Sequence, residues 1–367
     1  MPWLAGWQYR VPLTIDGTVP ALTGPVSNGI AIVGVPAALK AVCQAAGQDL
    51  RFTAADGQTL LDYGIEDWSV AAPVCHVRVP TVSTASTTIY AYGGNALAAD
   101  AQSRSGVAAG HALYCPFGEY SGNVVDWSSG INGTPVRIDG PSLNVWQGVA
   151  GKAGPAIQFD GLKGYLDFGD VCNMGTSHWH LGLWFKTADA SGPFVCKSLY
   201  GGANNRWFVS QDAGAIWAAL HPSSGGVVYT ASVGAITDNT WHRVDAVWDR
   251  TSTIRIYIDG ALAATGQDIS AFAADNIQST YKFGVAIYND KSGNLDSGKS
   301  PLSYSGLFDN LTIRTSVPSA DDVRFAAQSF PASTMFAFGA LEKAGGGLLF
   351  MSRNVGNALR GLIHTRR

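Results

Sequence analysis

The stretch DNTWHRVDAVWDRTSTIRIYIDGAL, residues 238–262, admits very few folds. His242, Val244, Ala246 and Trp248 fall on one side of an extended chain, and Trp241, Arg243, Asp245 and Val247 on the other, because strand side chains alternate with period two. A helix would scatter the same pattern around its circumference. Residues 249–253 then read as a polar turn, Ile254, Ile256 and Ile258 alternate again, and Asp259-Gly260 reads as a tight hairpin. The spacing predicts a meander of three short strands.

The same punctuation recurs along the chain. Val11, Leu13 and Ile15 alternate before Asp16-Gly17, and DLRFTAADGQTLLDY is a strand, an Asp56-Gly57 turn and a return strand. CHVRVPTV places Cys75, Val77 and Val79 on one face, and TTIYAYGGN ends on a Gly-Gly stop. Residues 1–95 are therefore expected to form a small β-sandwich, followed by an Ala/Ser/Gly-rich linker or short connecting helix over 96–112. Larger aromatics enter in HWHLGLWFKT, NRWFVSQ, AIWAALH, YKFGVAI and GLFDNLTIRT, where Trp179, Leu181, Leu183 and Phe185 read as core and Trp184 as the opposite face. About a dozen short strands over some 220 residues indicate a second two-sheet sandwich. SADDVRFAAQ, with Ser319 as cap and two acids in the first turn, predicts a short helix.

Composition agrees with an all-β chain of two β-sandwich domains. Only 14% of residues are charged, against roughly 25% in an average soluble protein, and there are 44 glycines to serve turns. A net charge of −3 gives no electrostatic case for nucleic acid. No apolar run approaches the roughly 18 residues of a membrane span. The amino terminus, MPWLAGWQYRVPL, shows neither the basic nor the apolar region of a secretory signal. Five scattered cysteines, none in C-x-x-C spacing, read as reduced buried thiols. The last stretch, 331–367, is expected to be a short helical or extended tail. Beyond the glycines at 345–347, its apolar positions Leu348, Phe350, Met351, Val355, Leu359 and Leu362 and its arginines suit either a frayed basic end or an anchoring segment.

Two resemblances rest on these motifs. WQYRVPLTI, DLRFTAADGQTLLDYGIEDW, VRVP and TTIYAYGGN resemble a β-sandwich module of bacterial and archaeal surface proteins and phage proteins, domain of unknown function 2341. GNVVDWSSGINGT, GKAGPAIQFDGLKGYLDFG, LGLWFKT, WHRVDAVWD, IYIDGALA and GLFDNLTIRTSVPSADDV are similar to a laminin-G-like, concanavalin A-type lectin jelly roll, placed at 113–330. The resemblance implies a structural calcium near F-D-G and the late D-N, which carries over to Asp160 and Asp309.

The chemistry of the side chains points away from catalysis. A glycosidase needs two carboxylates roughly 5 to 9 Å apart across the scissile bond. The chain has three glutamates, Glu66, Glu119 and Glu342, of which only Glu119 falls in the lectin-like segment, in a loop-like stretch. G-x-S-x-G, H-E-x-x-H and P-loop patterns are missing. His178 and His180 share a strand face but lack a visible third ligand, so they read as surface or interface residues. For sugar binding, aromatic faces stack on rings while amides and guanidinium groups bind hydroxyls. Tyr200, Asn204, Asn205, Arg206 and Trp207, around a Gly-rich loop, and Trp217 on the next strand are the candidates, although alternation requires some of these aromatics to be core.

Modules typical of exported proteins, without a visible export signal, point to a bacteriophage virion. The expected function is a non-enzymatic virion structural protein: a tail fibre, a receptor-binding subunit or a capsid-decoration subunit. Its expected partners are other virion proteins, further copies of itself as a trimer or along a symmetric shell, and a host cell-surface glycan. The alternative is a secreted or surface bacterial carbohydrate-binding protein. A glycan-degrading enzyme is the least favoured reading.

Overall fold

The computed structural model describes residues 2–136, 145–162, 164–198, 205–212, 215–224, 229–288 and 303–345. Strands β1 (Tyr9–Asp16), β2 (Val26–Gly34), β3 (Arg51–Thr53), β4 (Leu60–Leu61), β5 (Tyr63–Ile65), β6 (Val74–Val82) and β7 (Ser86–Gly93) build the first module. The second comprises β8 (His111–Cys115), β9 (Thr134–Val136), β10 (Val145–Ala150), β11 (Pro155–Asp160), β12 (Tyr165–Asp167), β13 (Trp179–Lys186), β14 (Gly192–Lys197) and β15 (Arg206–Asp212). It continues through β16 (Ala215–His221), β17 (Tyr229–Gly234), β18 (His242–Trp248), β19 (Thr253–Ile258), β20 (Ala261–Asp268), β21 (Gly284–Val285) and β22 (Ser305–Arg314). Two short strands follow, β23 (Phe336–Phe338) and β24 (Glu342–Lys343). Helices α1 (Ala37–Lys40), α2 (Arg104–Val107) and α3 (Ala320–Gln328) are brief.

Each module is a sandwich of two sheets, as the alternation predicts. In the first, a sheet ordered β23-β1-β7-β3-β4, with β24 also on β1, faces a sheet ordered β2-β6-β5. In the second, β10-β11-β22-β13-β18-β19-β20, with β8 on β22, faces β17-β16-β15-β14-β21-β12-β9. The meander of 238–262 is β18-β19-β20, and Asp259 (φ 51°) and Gly260 (φ 86°) close its hairpin with the paired positive φ of a type I′ turn. Val244, Ala246 and Trp248 enter the core, where the Trp179 and Trp248 rings stack at 5.1 Å. Ser319 begins α3 with a capping box: its Oγ accepts from Asp322 N, and the Asp322 carboxylate accepts from Ser319 N.

The chain end departs from expectation. Residues 331–367 were expected to be a tail, yet β23 pairs with Leu13–Ile15 and β24 with Tyr9 and Arg10, which completes the first sheet. Met335 and Leu341 enter the first module's core. The driving force is burial of these side chains together with satisfaction of the open edge of β1. Topologically, the lectin-like sandwich is thus inserted within the first module. The stretch expected to be a linker, 96–112, contains α2 and is bonded to the first module: Ala99 O accepts from Arg51, Gln102 Oε1 from Ile65 N, and Tyr63 O from Ser103 N. The anchoring residues expected from 346 onward lie outside the described residues.

The seam between the modules covers a polar face. His180, Arg243, Asp245 and Thr312 point away from the lectin-like core, but β2 and α3 pack over them and all four are buried. Ser329 Oγ donates to Ile30 O, and Ile32 N donates to Ser329 Oγ, so the end of α3 is stitched to β2. A Cβ at position 182 would stand 2.1 Å from Arg243 Nη2, so glycine there lets the guanidinium lie over the sheet.

Candidate functional site

Strands β15 and β16 settle which candidate side chains can meet a ligand. Their register sets Arg206 opposite His221, Phe208 opposite Ala219 and Ser210 opposite Trp217. Trp207 and Val209, with Ile216, Ala218 and Leu220, face the core. Alternation therefore turns Arg206, Phe208, Ser210, Trp217 and His221 to the outer face of the seven-stranded sheet. Phe208 and Trp217 are diagonal cross-strand neighbours, a separation of roughly 7–8 Å or less that aromatic side chains can span. Both are half-buried. Tyr288 meets Phe208 edge-on at 6.0 Å, and the Trp217 indole N–H donates to Asp212 O at 3.2 Å, which fixes the plane of the ring. Ser232 and Thr230 on β17 extend the polar side of the platform beside Trp217 and Ala219.

The electrostatics of this face are set by Arg206 and His221. Burial, then the nearby Arg206 charge, pushes the His221 imidazole below its ordinary pKa, so it is neutral at neutral pH and can both donate and accept. His221 and Ser210 are buried, so what this face presents is the half-buried Phe208 and Trp217 rings with Arg206 and the hydroxyls of Thr230 and Ser232, a set suited to a sugar ring.

The sequence candidates divide. Arg206 and Trp217 share the outer face. Trp207 does not: it is 1% exposed, packed 6.0 Å from Trp179 and 5.6 Å from Trp248, and so cannot stack on a ligand. The phase of the alternation decides this, since one residue's shift exchanges faces. Asn205 immediately precedes β15 in a left-handed conformation (φ 62°). Tyr200 and Asn204 lie outside the described residues. Phe208, His221 and Tyr288 were not among the candidates, although the period-two rule applied from Arg206 selects Phe208 as well.

The calcium candidates serve as turn caps. Asp160 Oδ1 accepts from Leu162 N at 2.8 Å. Asp309 is fully buried, its Oδ2 accepting from Lys152 N (2.7 Å) and Ala153 N (2.8 Å). Burial drives its pKa up to about 7, against those backbone donors. Among the described residues, no three His, Cys, Asp or Glu side chains group as a metal site. His180 bonds Asp245, and His178 accepts from Arg250 N and lies 3.3 Å from Asp249, so the two histidines have separate partners.

Residues 160–324 match the Concanavalin A-like lectin/glucanases superfamily, and residues 46–130 match the Domain of unknown function DUF2341. No curated protein matches the chain. Among solved structures, the botulinum neurotoxin serotype D binding domain is 14% identical with a TM-score of 0.42, covering 59% of this chain and 50% of that one. The binding domain of Paraclostridial Mosquitocidal Protein 1 is 12% identical with a TM-score of 0.45, covering 60% and 52%. Domain 4 of AbnA, an extracellular GH43 arabinanase from Geobacillus stearothermophilus solved with arabinotriose, is 16% identical with a TM-score of 0.40, covering 59% and 98%. The chain thus spans about half the length of the two toxin binding domains. In order along its length, the chain carries a DUF2341 segment followed by a domain of the concanavalin A-like lectin/glucanases type.

Proposed function

We propose that the lectin-like domain is a non-catalytic glycan-binding module and that the chain acts in adhesion. The observation that carries this reading is the outer face of β15 and β16, where half-buried Phe208 and Trp217 lie beside Arg206 and His221. Sugar rings present an apolar C–H face to aromatic rings and a hydroxyl rim to polar neighbours, so this combination supplies orientation as well as contact area. The position of Glu119 supports a binding role over hydrolysis. Its carboxylate accepts from Val125 N in a loop, and it does not belong to the sheet face.

The setting we infer is a phage particle, with this chain as a tail fibre, receptor-binding or decoration subunit, repeated so that weak single sites act together. A secreted or surface bacterial protein is the competing setting. A glycan array probed with the whole chain tests the binding reading: selective binding that is lost on Trp217→Ala supports it. Uniform absence of glycan binding, with the chain folded, sinks it. Capsid and tail genes flanking the reading frame would support the virion setting, whereas an export signal encoded upstream would favour the bacterial one.

A further inference from the structure

The outer face of the seven-stranded sheet changes character from one end to the other. Arg206 opens it beside the buried His221, Phe208 and Thr230 share the next row, Trp217 and Ser232 the third, and Asp212 closes it. These rows lie two residues apart, roughly 7 Å along the strands. The two charged side chains therefore stand at opposite ends, roughly 20 Å apart, with an aromatic ring in each of the rows between them. Arg206, Phe208, Thr230, Trp217 and Asp212 are partly exposed and Ser232 is exposed, so a short chain of sugars laid along β15 and β16 meets a side chain in every row.

The Arg206 end suits an anion. Burial lowers the Arg206 pKa, yet a guanidinium stays charged at neutral pH. Arg206 thus carries a charge that has lost part of its hydration, and a ligand anion restores some of that loss. Five N–H donors let it keep a protein partner and still hold a ligand oxygen. His221 opposite is neutral, since burial and Arg206 both lower its pKa, which leaves a single positive charge at this end. A planar guanidinium and a planar carboxylate join through two parallel hydrogen bonds. In a carboxylated sugar the carboxylate is bonded directly to a ring carbon, so a ring lying on Phe208 fixes where the charge falls, one row away.

The other end disfavours a second anion. The Asp212 carbonyl accepts from Trp217 Nε1 at 3.2 Å, which keeps this acid beside the ring and its negative charge near whatever stacks there. Resting on the reading that this face binds glycan, we propose that its ligand is an oligosaccharide with one carboxylated sugar at its end. The acidic ring lies on Phe208 with its carboxylate on Arg206, and a neutral sugar lies on Trp217 with hydroxyls toward Thr230, Ser232 and Asp212. Arg206 is then the residue that sets specificity.

The test is calorimetric titration of the whole chain with sialyllactose and with an aldotriouronic acid, each beside its methyl ester, which keeps the shape and removes the charge. One acid should bind about tenfold or more tightly than its ester, and which one does so tells a cell-surface sialoglycan from a uronic acid polysaccharide. Arg206→Gln should bring acid and ester to equal affinity, and Arg206→Lys, which keeps the charge and loses the fork, should retain part of the preference. The ester comparison on the natural chain decides the matter even where a variant fails to fold. Acid and ester bound alike, glycans captured from an array without a carboxylate among them, or a preference that survives Arg206→Gln would each overturn the proposal while leaving glycan binding in place. Sulfated lactose held as tightly as the preferred acid would overturn the assignment to a carboxylate. A folded chain that captures no glycan at all removes the underlying reading as well.

Discussion

His180 Nε2 lies 2.8 Å from Asp245 Oδ1 in the seam between the modules, on a sheet face that points away from the lectin-like core and is nevertheless buried. Arg243 closes on the same carboxylate through Nε and Nη2, each at 2.9 Å. Burial alone would raise the Asp245 pKa, but the guanidinium and the imidazole hold it below the usual carboxylate range. One carboxylate thus compensates a buried guanidinium and orders a buried imidazole. Asp245→Ala would strand the Arg243 charge under β2 and α3. The expected loss is about 3–5 kcal/mol, the range for breaking a buried ion pair from one side. Chemical denaturation checks it, and a loss below about 1 kcal/mol would mean that solvent reaches Arg243 in the seam.

Trp207 and Trp217 give opposite expectations from neighbouring strands. Trp207→Ala removes a ring from the Trp179–Trp248 cluster and should cost about 3–5 kcal/mol of stability. Trp217→Ala, on the outer face, should cost about 1 kcal/mol or less while weakening glycan binding at least tenfold, equivalent to about 1.4 kcal/mol. Thermal melts and glycan titrations on the two variants separate the roles. If Trp207→Ala kept full stability and lost binding, the two faces of β15 would have to be exchanged.

These contrasts show where the sequence is legible. Period-two alternation identifies β18, β19 and the hairpin at Asp259-Gly260, reads Trp179 as core and groups Trp248 with Val244 and Ala246 on one face, because one strand's pattern already encodes two faces. It does not say what lies over the second face. Arg243 and Asp245 look like solvent-facing charges in the sequence, and only the packing of β2 and α3, far away in the chain, buries them. The phase of β15 is harder, because the Gly-rich run before Asn205 hides where alternation begins, so that Trp207 and Phe208 compete for the same face. The pairing of β23 with β1 is the least legible: three residues cannot carry a periodic signal, and their partners lie more than 300 positions earlier.

Asp309 predicts a pH dependence of definite sign. Its folded pKa is about 7, raised by burial from 3.8. A carboxyl with a higher pKa folded than unfolded binds more protons in the folded state, so its contribution falls as pH rises from about 4 to about 7 and is level above that. Asp309→Asn removes this titration and keeps an acceptor for Lys152 N and Ala153 N. The stability of the variant relative to the natural chain should therefore increase between about pH 4 and 7, then stay constant. Parallel pH profiles for the two chains would show that Asp309 is ionised in the folded state throughout.

The return of the chain to the first module predicts a sharp boundary in truncation. Ending the chain after Phe330 removes β23 and β24, and with them Met335, fully buried, Leu341, 6% exposed, and the Glu342 partner of Arg10. The two apolar side chains are worth roughly 1.5–3 kcal/mol each, and the edge of β1 is left open. The first module should melt earlier, and proteolysis should begin within 1–95 while β8–β22 stays protected. Ending the chain after Gly345 keeps both strands and should leave the melting temperature unchanged. If the shorter chain proved as stable as the longer one, the pairing of Leu13 with Phe338 would contribute nothing to the fold, and the lectin-like domain would follow the first module instead of being held within it.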